Sequence, residues 1–168
     1  YPEAIFTEGS YRTVRDAISD IQDIEPGKEV TDSYFTLPPH PEAQGLEKEL
    51  RGRCLHNHIT TATRETALSR FKALKAGENF HDLSPELKTT YSNAERTQNT
   101  IYMRLKYDEP SGTVVNVRKS MWIHPELDRA ISIREAARLQ TFPDSFIFEG
   151  TKDSQYQQVG NAVPPFLA

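Results

Sequence analysis

The stretch SIREAARLQTFPD, residues 132–144, carries the start, body and stop of one short helix. Ser132 can cap the first backbone amides, and Glu135, three residues on, can reach back to the Ser132 amide in a capping box. Ala136, Ala137, Leu139 and Gln140 continue the helix until Phe142-Pro143, because proline drives the residue before it out of the α region. Two consecutive alanines let a neighbouring backbone come close, and Arg134 and Arg138, four apart, share another face. An amphipathic packing strut is expected, with its small face laid against another element.

Working outward, the chain of 168 residues is long enough for one ordinary core, or one domain and part of another. Eight Phe, seven Tyr and one Trp supply the large side chains such a core needs. No apolar run approaches the roughly 18 residues of a membrane span. The first residues, YPEAIFTEGS, have neither the basic start nor the apolar block of a signal peptide, so the cytosol is expected. A single cysteine, Cys54, has no partner for an internal disulfide.

Net charge is −4, against a nucleic-acid partner if taken as a sum, but its distribution is uneven. Residues 51–123 carry twelve basic and seven acidic side chains, between acidic flanks. That local excess is what a phosphate-contacting surface needs, although solvated helices give the same totals.

In YRTVRDAISDI, residues 11–21, Thr13 and Asp16 form a second capping-box pair ahead of Val14, Ala17, Ile18 and Ile21 on one face. A Pro-rich stretch from EPGKEV to RGRCL, including LPPHPEAQG, is expected as loop with one strand around SYFTL, residues 33–37. A helix is expected over TRETALSRFKAL, residues 63–74, with Ala67, Leu68, Phe71 and Leu74 at helical spacing and Gly77 as a stop. Ser84-Pro85 should open a short helical turn. From residue 101, IYMRLKY alternates apolar and polar, a Pro-Ser-Gly turn intervenes and TVVNV resumes, which predicts a β-hairpin pointing Arg104, Lys106, Asn116 and Arg118 outward.

HPELDRAISIREAARLQTFPDSFIFEG, residues 124–150, followed by QYQQVGNAVPPFLA, residues 155–168, resembles the ninth and tenth sequence blocks of cytosine-C5 DNA methyltransferases, in order and at the usual separation. RLKYDEPSGTVV, residues 104–115, resembles the part of that family's target-recognition region where an arginine, a Pro-Ser turn and a Thr-aliphatic pair meet DNA. The likeness implies an α+β fold: a small target-recognition domain with a β-hairpin and short helices, plus C-terminal elements of a Rossmann-like S-adenosylmethionine-dependent methyltransferase domain. The expected boundaries are 1–12 for the end of a catalytic domain or linker, 13–127 for the recognition domain and 128–168 for a helix and return to the catalytic domain.

The resemblance implies Arg104, Thr113 and Val114 at the target bases of double-stranded DNA, with Arg118 and Lys119 as further base or phosphate contacts. The chemistry agrees, since arginine can hold guanine through two major-groove hydrogen bonds and lysine pairs with phosphate. It also implies Asn161, Ala162 and Val163 as contacts to S-adenosylmethionine, with Gly160 making a tight turn and Pro164-Pro165 opening a further helix. The family's nucleophile in a Pro-Cys pair and its acid in a Glu-Asn-Val segment do not occur here; Cys54 sits in GRCLHNH. The chain is therefore expected to begin after the eighth block and to be inactive alone. It would need a catalytic domain or partner chain carrying the Pro-Cys loop, in a bacterial cytoplasm and with no membrane. A natural non-catalytic DNA-binding subunit of a split enzyme is the alternative. Cys54, His56 and His58 have a spacing compatible with zinc but lack a fourth ligand, and HNH matches a nuclease motif by letters only, so no metal is expected.

Overall fold

The computed structural model describes residues 9–21, 29–30, 33–34, 46–115 and 117–167. Seven helices are found among them: α1 (Val14–Ile18), α2 (Leu46–Leu50), α3 (Glu65–Ala73), α4 (Pro85–Lys88), α5 (Val117–Ser120), α6 (Ile133–Leu139) and α7 (Lys152–Asn161). Four two-residue strands make two antiparallel pairs, β1 (Glu29–Val30) with β4 (His58–Ile59) and β2 (Ser33–Tyr34) with β3 (Cys54–Leu55). The mixed α and β character expected from sequence is present, with little sheet. Most of the Pro-rich stretch lies outside the described residues; β2 falls within the expected SYFTL strand.

α6 is the centre, packed against α1, α7 and β4. The capping box is formed as expected: the Glu135 amide donates to Ser132 Oγ at 3.0 Å and the Ser132 amide to Glu135 Oε2 at 2.6 Å. The amphipathic reading is corrected, because every residue from Ile133 to Arg138 is buried, both arginines included. Each buried guanidinium is met by acceptors. Arg138 pairs bidentately with Asp144 (3.0 and 2.7 Å) and donates to Asp20 Oδ1 (2.5 Å) and the Ala17 carbonyl (2.9 Å). Arg129 pairs bidentately with Glu135 at 2.7 and 2.6 Å. Arg134 donates to the carbonyls of His56, Pro143 and Phe146 at 2.8, 3.0 and 2.6 Å. Three arginines thus face three carboxylates, so the buried charge is balanced.

Two apolar clusters flank this network. The larger gathers Ile18 from α1, Leu50 from α2, Trp122, Ile133 and Ala136 from around α6, and Tyr156 and Val159 from α7. It draws on residues from both sides of the boundary expected at 127/128. The smaller gathers Phe71 and Leu74 of the α3 end with Phe80, Leu83, Tyr102 and Ile123. α1 begins at its Thr13–Asp16 capping box and α4 at Ser84-Pro85, both as the sequence predicts. The β-hairpin is not formed. Residues 101–115 contain no strand, only an isolated parallel bridge between Arg104 and Ile123, and α5 occupies part of the expected second arm.

Two neutral histidines sit beside the network. His58 Nδ1 lies 2.8 Å from Ser132 Oγ, and His124 Nδ1 accepts from the Glu126 and Leu127 amides at 3.2 and 3.1 Å. Burial holds each at about 4, with Glu135 offsetting only part of the effect. For Glu135 burial acts upward, but the Arg129 guanidinium prevails and holds it at about 2. The histidines' depressed values contribute stability that is complete above pH 6.5 and lost as pH falls towards 4, because the unfolded chain binds those protons first. Unfolding free energies from urea titrations should therefore fall steeply between pH 6.5 and 4, by up to roughly 2.7 kcal/mol per pH unit for two sites, and His124→Gln should about halve that slope. Arg138→Met should cost about 3–5 kcal/mol by taking the bidentate partner from Asp144 and leaving Asp20 with Arg51 at 3.2 Å, and adding Asp144→Asn should recover part of it, both read by urea unfolding.

Candidate functional site

The residues expected at DNA are separated by the fold. Arg104 is turned inward, 5% exposed, and the outward placement expected for it is corrected. Its Nε donates to the Leu74 carbonyl (2.8 Å) and one terminal nitrogen to Phe71 O (2.6 Å) and Asp128 Oδ1 (2.6 Å). The other terminal nitrogen donates to the carbonyls of His124 (3.0 Å) and Leu127 (3.2 Å). All five donors are occupied, so none is left for a base. The physical reason is the end of α3, where the guanidinium supplies donors to the Leu74 carbonyl and to the Phe71 carbonyl, which otherwise accepts the Leu74 amide at 3.2 Å.

Val114 is buried at 3% and belongs to the larger core, while Thr113 and Val115 on either side are exposed. Arg118, on α5, is exposed and pairs with Asp153 of α7 at 2.7 Å. Lys119 is the next residue of α5, and its side chain lies outside the described set. Of the twelve basic residues in 51–123, Arg70 and Arg104 are interior, which lowers the surface excess read from the sequence.

The tail is ordered by α6 and α7. α7 starts at Thr151, whose hydroxyl accepts from the Ser154 amide at 3.3 Å, and buries Tyr156 and Val159. Tyr156 Oη donates to the Ile131 carbonyl at 2.8 Å, fixing α7 to the strand-like approach to α6. This helix was missed by the sequence reading, although Thr151 followed by Asp153 and the Tyr156/Val159 spacing signals it. The tight turn expected at Gly160 is corrected: Gly160 and Asn161 form the last turn of α7, and the backbone leaves helical geometry at Ala162. Residues 165–167 form a turn, with the Leu167 amide on Pro164 O at 2.8 Å; the helix expected to open at Pro164-Pro165 would extend outside the described residues. Gln140 Nε2 donates to the Ala162 carbonyl at 2.7 Å. Asn161 and Val163 are exposed and Ala162 half-buried, so an amide and small apolar groups adjoin one another at this corner. Phe166 and Leu167, 55% and 63% exposed, extend the apolar part.

His58 and Asn57 serve the interior. Asn57 adopts φ of 57° and ties three segments, donating to the Phe148 carbonyl (2.9 Å) and Gln155 Oε1 (3.1 Å) and accepting from the Phe148 amide (2.9 Å). Cys54 is half-buried and carries a free thiol. Among the described residues, no three His, Cys, Asp or Glu side chains gather as metal ligands, and no helix is long and apolar enough to cross a membrane.

Residues 7–168 match the family described as C-5 cytosine-specific DNA methylase. The chain belongs to that family. It is 34% identical over 184 residues to the type II methyltransferase M.DdeI of Desulfomicrobium norvegicum, covering 99% of this chain and 43% of that protein. It is 33% identical over 168 residues to the type II methyltransferase M1.HphI of Haemophilus parahaemolyticus, covering all of this chain and 37% of that one. DNA (cytosine-5)-methyltransferase 4 of Arabidopsis thaliana is 34% identical over 187 residues, covering 93% of this chain and 12% of that protein. A crystal structure of a prophage-encoded DNA modification methyltransferase from E. coli superposes with a TM-score of 0.65 at 25% identity, over 93% of this chain and 44% of that one. This methylase-family chain spans less than half the length of each of these relatives.

Arg104→Met should cost about 2–4 kcal/mol in urea unfolding, because five interior bonds are lost together, and Arg104→Lys should fail to rescue it since an ammonium cannot reproduce the fork.

Proposed function

We propose that this chain is the DNA-recognising, C-terminal portion of a DNA (cytosine-5)-methyltransferase, and that methyl transfer needs a catalytic domain carrying the Pro-Cys loop. The observation that carries the reading is the family match across residues 7–168, joined to a chain that spans 43% of a relative named as a type II methyltransferase. The exposed apolar corner at Val163, Phe166 and Leu167 supports it, since a surface of this kind is suited to being covered by another body.

In this reading the DNA-facing residues are Thr113, Arg118 and Lys119, while Arg104 and Val114 support them from inside. Arg118 can exchange Asp153 for a phosphate, a substitution that keeps the guanidinium paired. Asn161, Ala162 and Val163 would border S-adenosylmethionine, and their chemistry fits that group: an exposed amide for its amino-acid end and small apolar surface beside it. The cofactor supplies a methyl group on a positively charged sulfur. This chain's own residues bind and orient; none of the described ones is placed as the attacking thiolate. The division at 12/13 and 127/128 belongs to the same proposal.

The test is methyl transfer from labelled S-adenosylmethionine to cytosine-containing duplex DNA. The chain alone should transfer none, and joining it to a catalytic half bearing Pro-Cys should restore transfer; activity of the chain alone, abolished by Cys54→Ser, would refute the reading. Arg118→Ala should weaken DNA binding evenly across sequences and lower the salt slope of log K by about 1, measured by titration at several salt concentrations.

A further inference from the structure

α6 ends in a backbone conformation that its own sequence disfavours. Beyond the cap residue Gln140, Thr141 has φ of 65°, in the left-handed region. The Phe142 amide returns to the Ala137 carbonyl and the Thr141 amide to the Arg138 carbonyl, both at 2.9 Å, which is the paired bonding of a Schellman ending. Glycine suits that position, and a residue branched at Cβ suits it least. Of the four non-glycine residues with positive φ among those described, Asn57, Tyr102, Met121 and Thr141, only Thr141 is β-branched.

The helix stop requires the left-handed turn but no hydroxyl. That hydroxyl is used elsewhere: Thr141 Oγ1 accepts from the Phe166 amide at 3.1 Å. Its neighbour Gln140 donates from Nε2 to the carbonyls of Ala162 at 2.7 Å and Val159 at 3.4 Å. Two successive residues thus grip the chain on both sides of Val163-Pro164-Pro165. Within that span the prolines have no amide of their own to anchor it, and Val163 is 63% exposed.

We propose that Thr141 is a positioning residue, keeping a strained backbone so that its hydroxyl holds residues 162–167 against the end of α6, with Gln140 as the second grip. Its functional meaning rests on the reading of Asn161, Ala162 and Val163 as cofactor contacts; its geometry does not. Backbone strain retained where glycine would relieve it points to a use for the side chain.

The experiment compares the full chain with Thr141→Gly and Thr141→Ser, by thermal unfolding and by amide hydrogen exchange resolved at Phe166. Thr141→Gly should unfold at the same or a higher temperature, while the Phe166 amide exchanges on the order of tenfold faster for the loss of one hydrogen bond. Thr141→Ser, which keeps the hydroxyl, should hold Phe166 exchange near its original rate. Unchanged Phe166 exchange in the glycine variant overturns the proposal, as does equal lability in the serine variant. A clear drop in the unfolding temperature of the glycine variant overturns the strain it assumes. In the complete methyltransferase, Thr141→Gly should raise KM for S-adenosylmethionine several-fold with little change in kcat, and Thr141→Ser should restore it. An unchanged KM beside a labile Phe166 amide would remove the cofactor assignment and leave the grip standing.

Discussion

The fold depends on burying three arginines with three carboxylates around α6. Arg129–Glu135 and Arg138–Asp144 are bidentate, and Asp20 reaches Arg138 from just beyond α1. Desolvating such groups costs several kcal/mol per ion, so the network is poor at adding stability over an apolar core of equal volume. What it adds is direction. An apolar core accepts many registers, whereas a guanidinium fork fixes the relative positions of every segment that supplies an acceptor. Here those segments are the end of α1, the residues around β3 and β4, and the 142–148 loop. Asp144 also accepts from the Gly52 amide at 3.1 Å, so the loop beyond α6 is tied to the approach to β3 by the same carboxylate.

Signals that act over three or four residues were legible in the sequence. Thr13 with Asp16 and Ser132 with Glu135 form their capping boxes, and Ser84-Pro85 starts a helix, because each needs only local partners. The interior arginines were not legible, for a physical reason. Arg104 and Arg134 are satisfied largely by backbone carbonyls, which every residue has and no letter announces. Alternation from Ile101 to Tyr107 suggested a strand with Arg104 outward, and the need of the α3 carbonyls for donors overrode it. The net charge of 51–123 misled in the same way, by counting Arg70 and Arg104 as surface.

Within the candidate site the family blocks name segments, and the structure adds the direction of each side chain. Thr113 faces out and Val114 in, as neighbours on an extended chain must when one of them joins a core. The resemblance could name both as contacts without distinguishing them, since the letters Thr and Val fit a half-buried segment in either register. The tail shows the opposite case. Gly160 read as a turn, yet the caps and apolar spacing of α7 carry the helix through it, at the modest cost of one glycine in a last turn.

The same packing joins the elements on which the proposed contacts sit. α5, with Arg118, packs on α7, and α7 packs on α6, whose end holds the carbonyl of Ala162 through Gln140. Arg118 and Asp153 bridge α5 to the first turn of α7, while Asn161 lies at the last turn of that same ten-residue helix. α7 therefore runs from the salt-bridge partner of Arg118 in its first turn to Asn161 in its last. Burial of Tyr156 and Val159 holds α7 to the core, and the Tyr156 hydroxyl on the Ile131 carbonyl fixes its rotation, so the positions of Asp153 and Asn161 are set by the same packing.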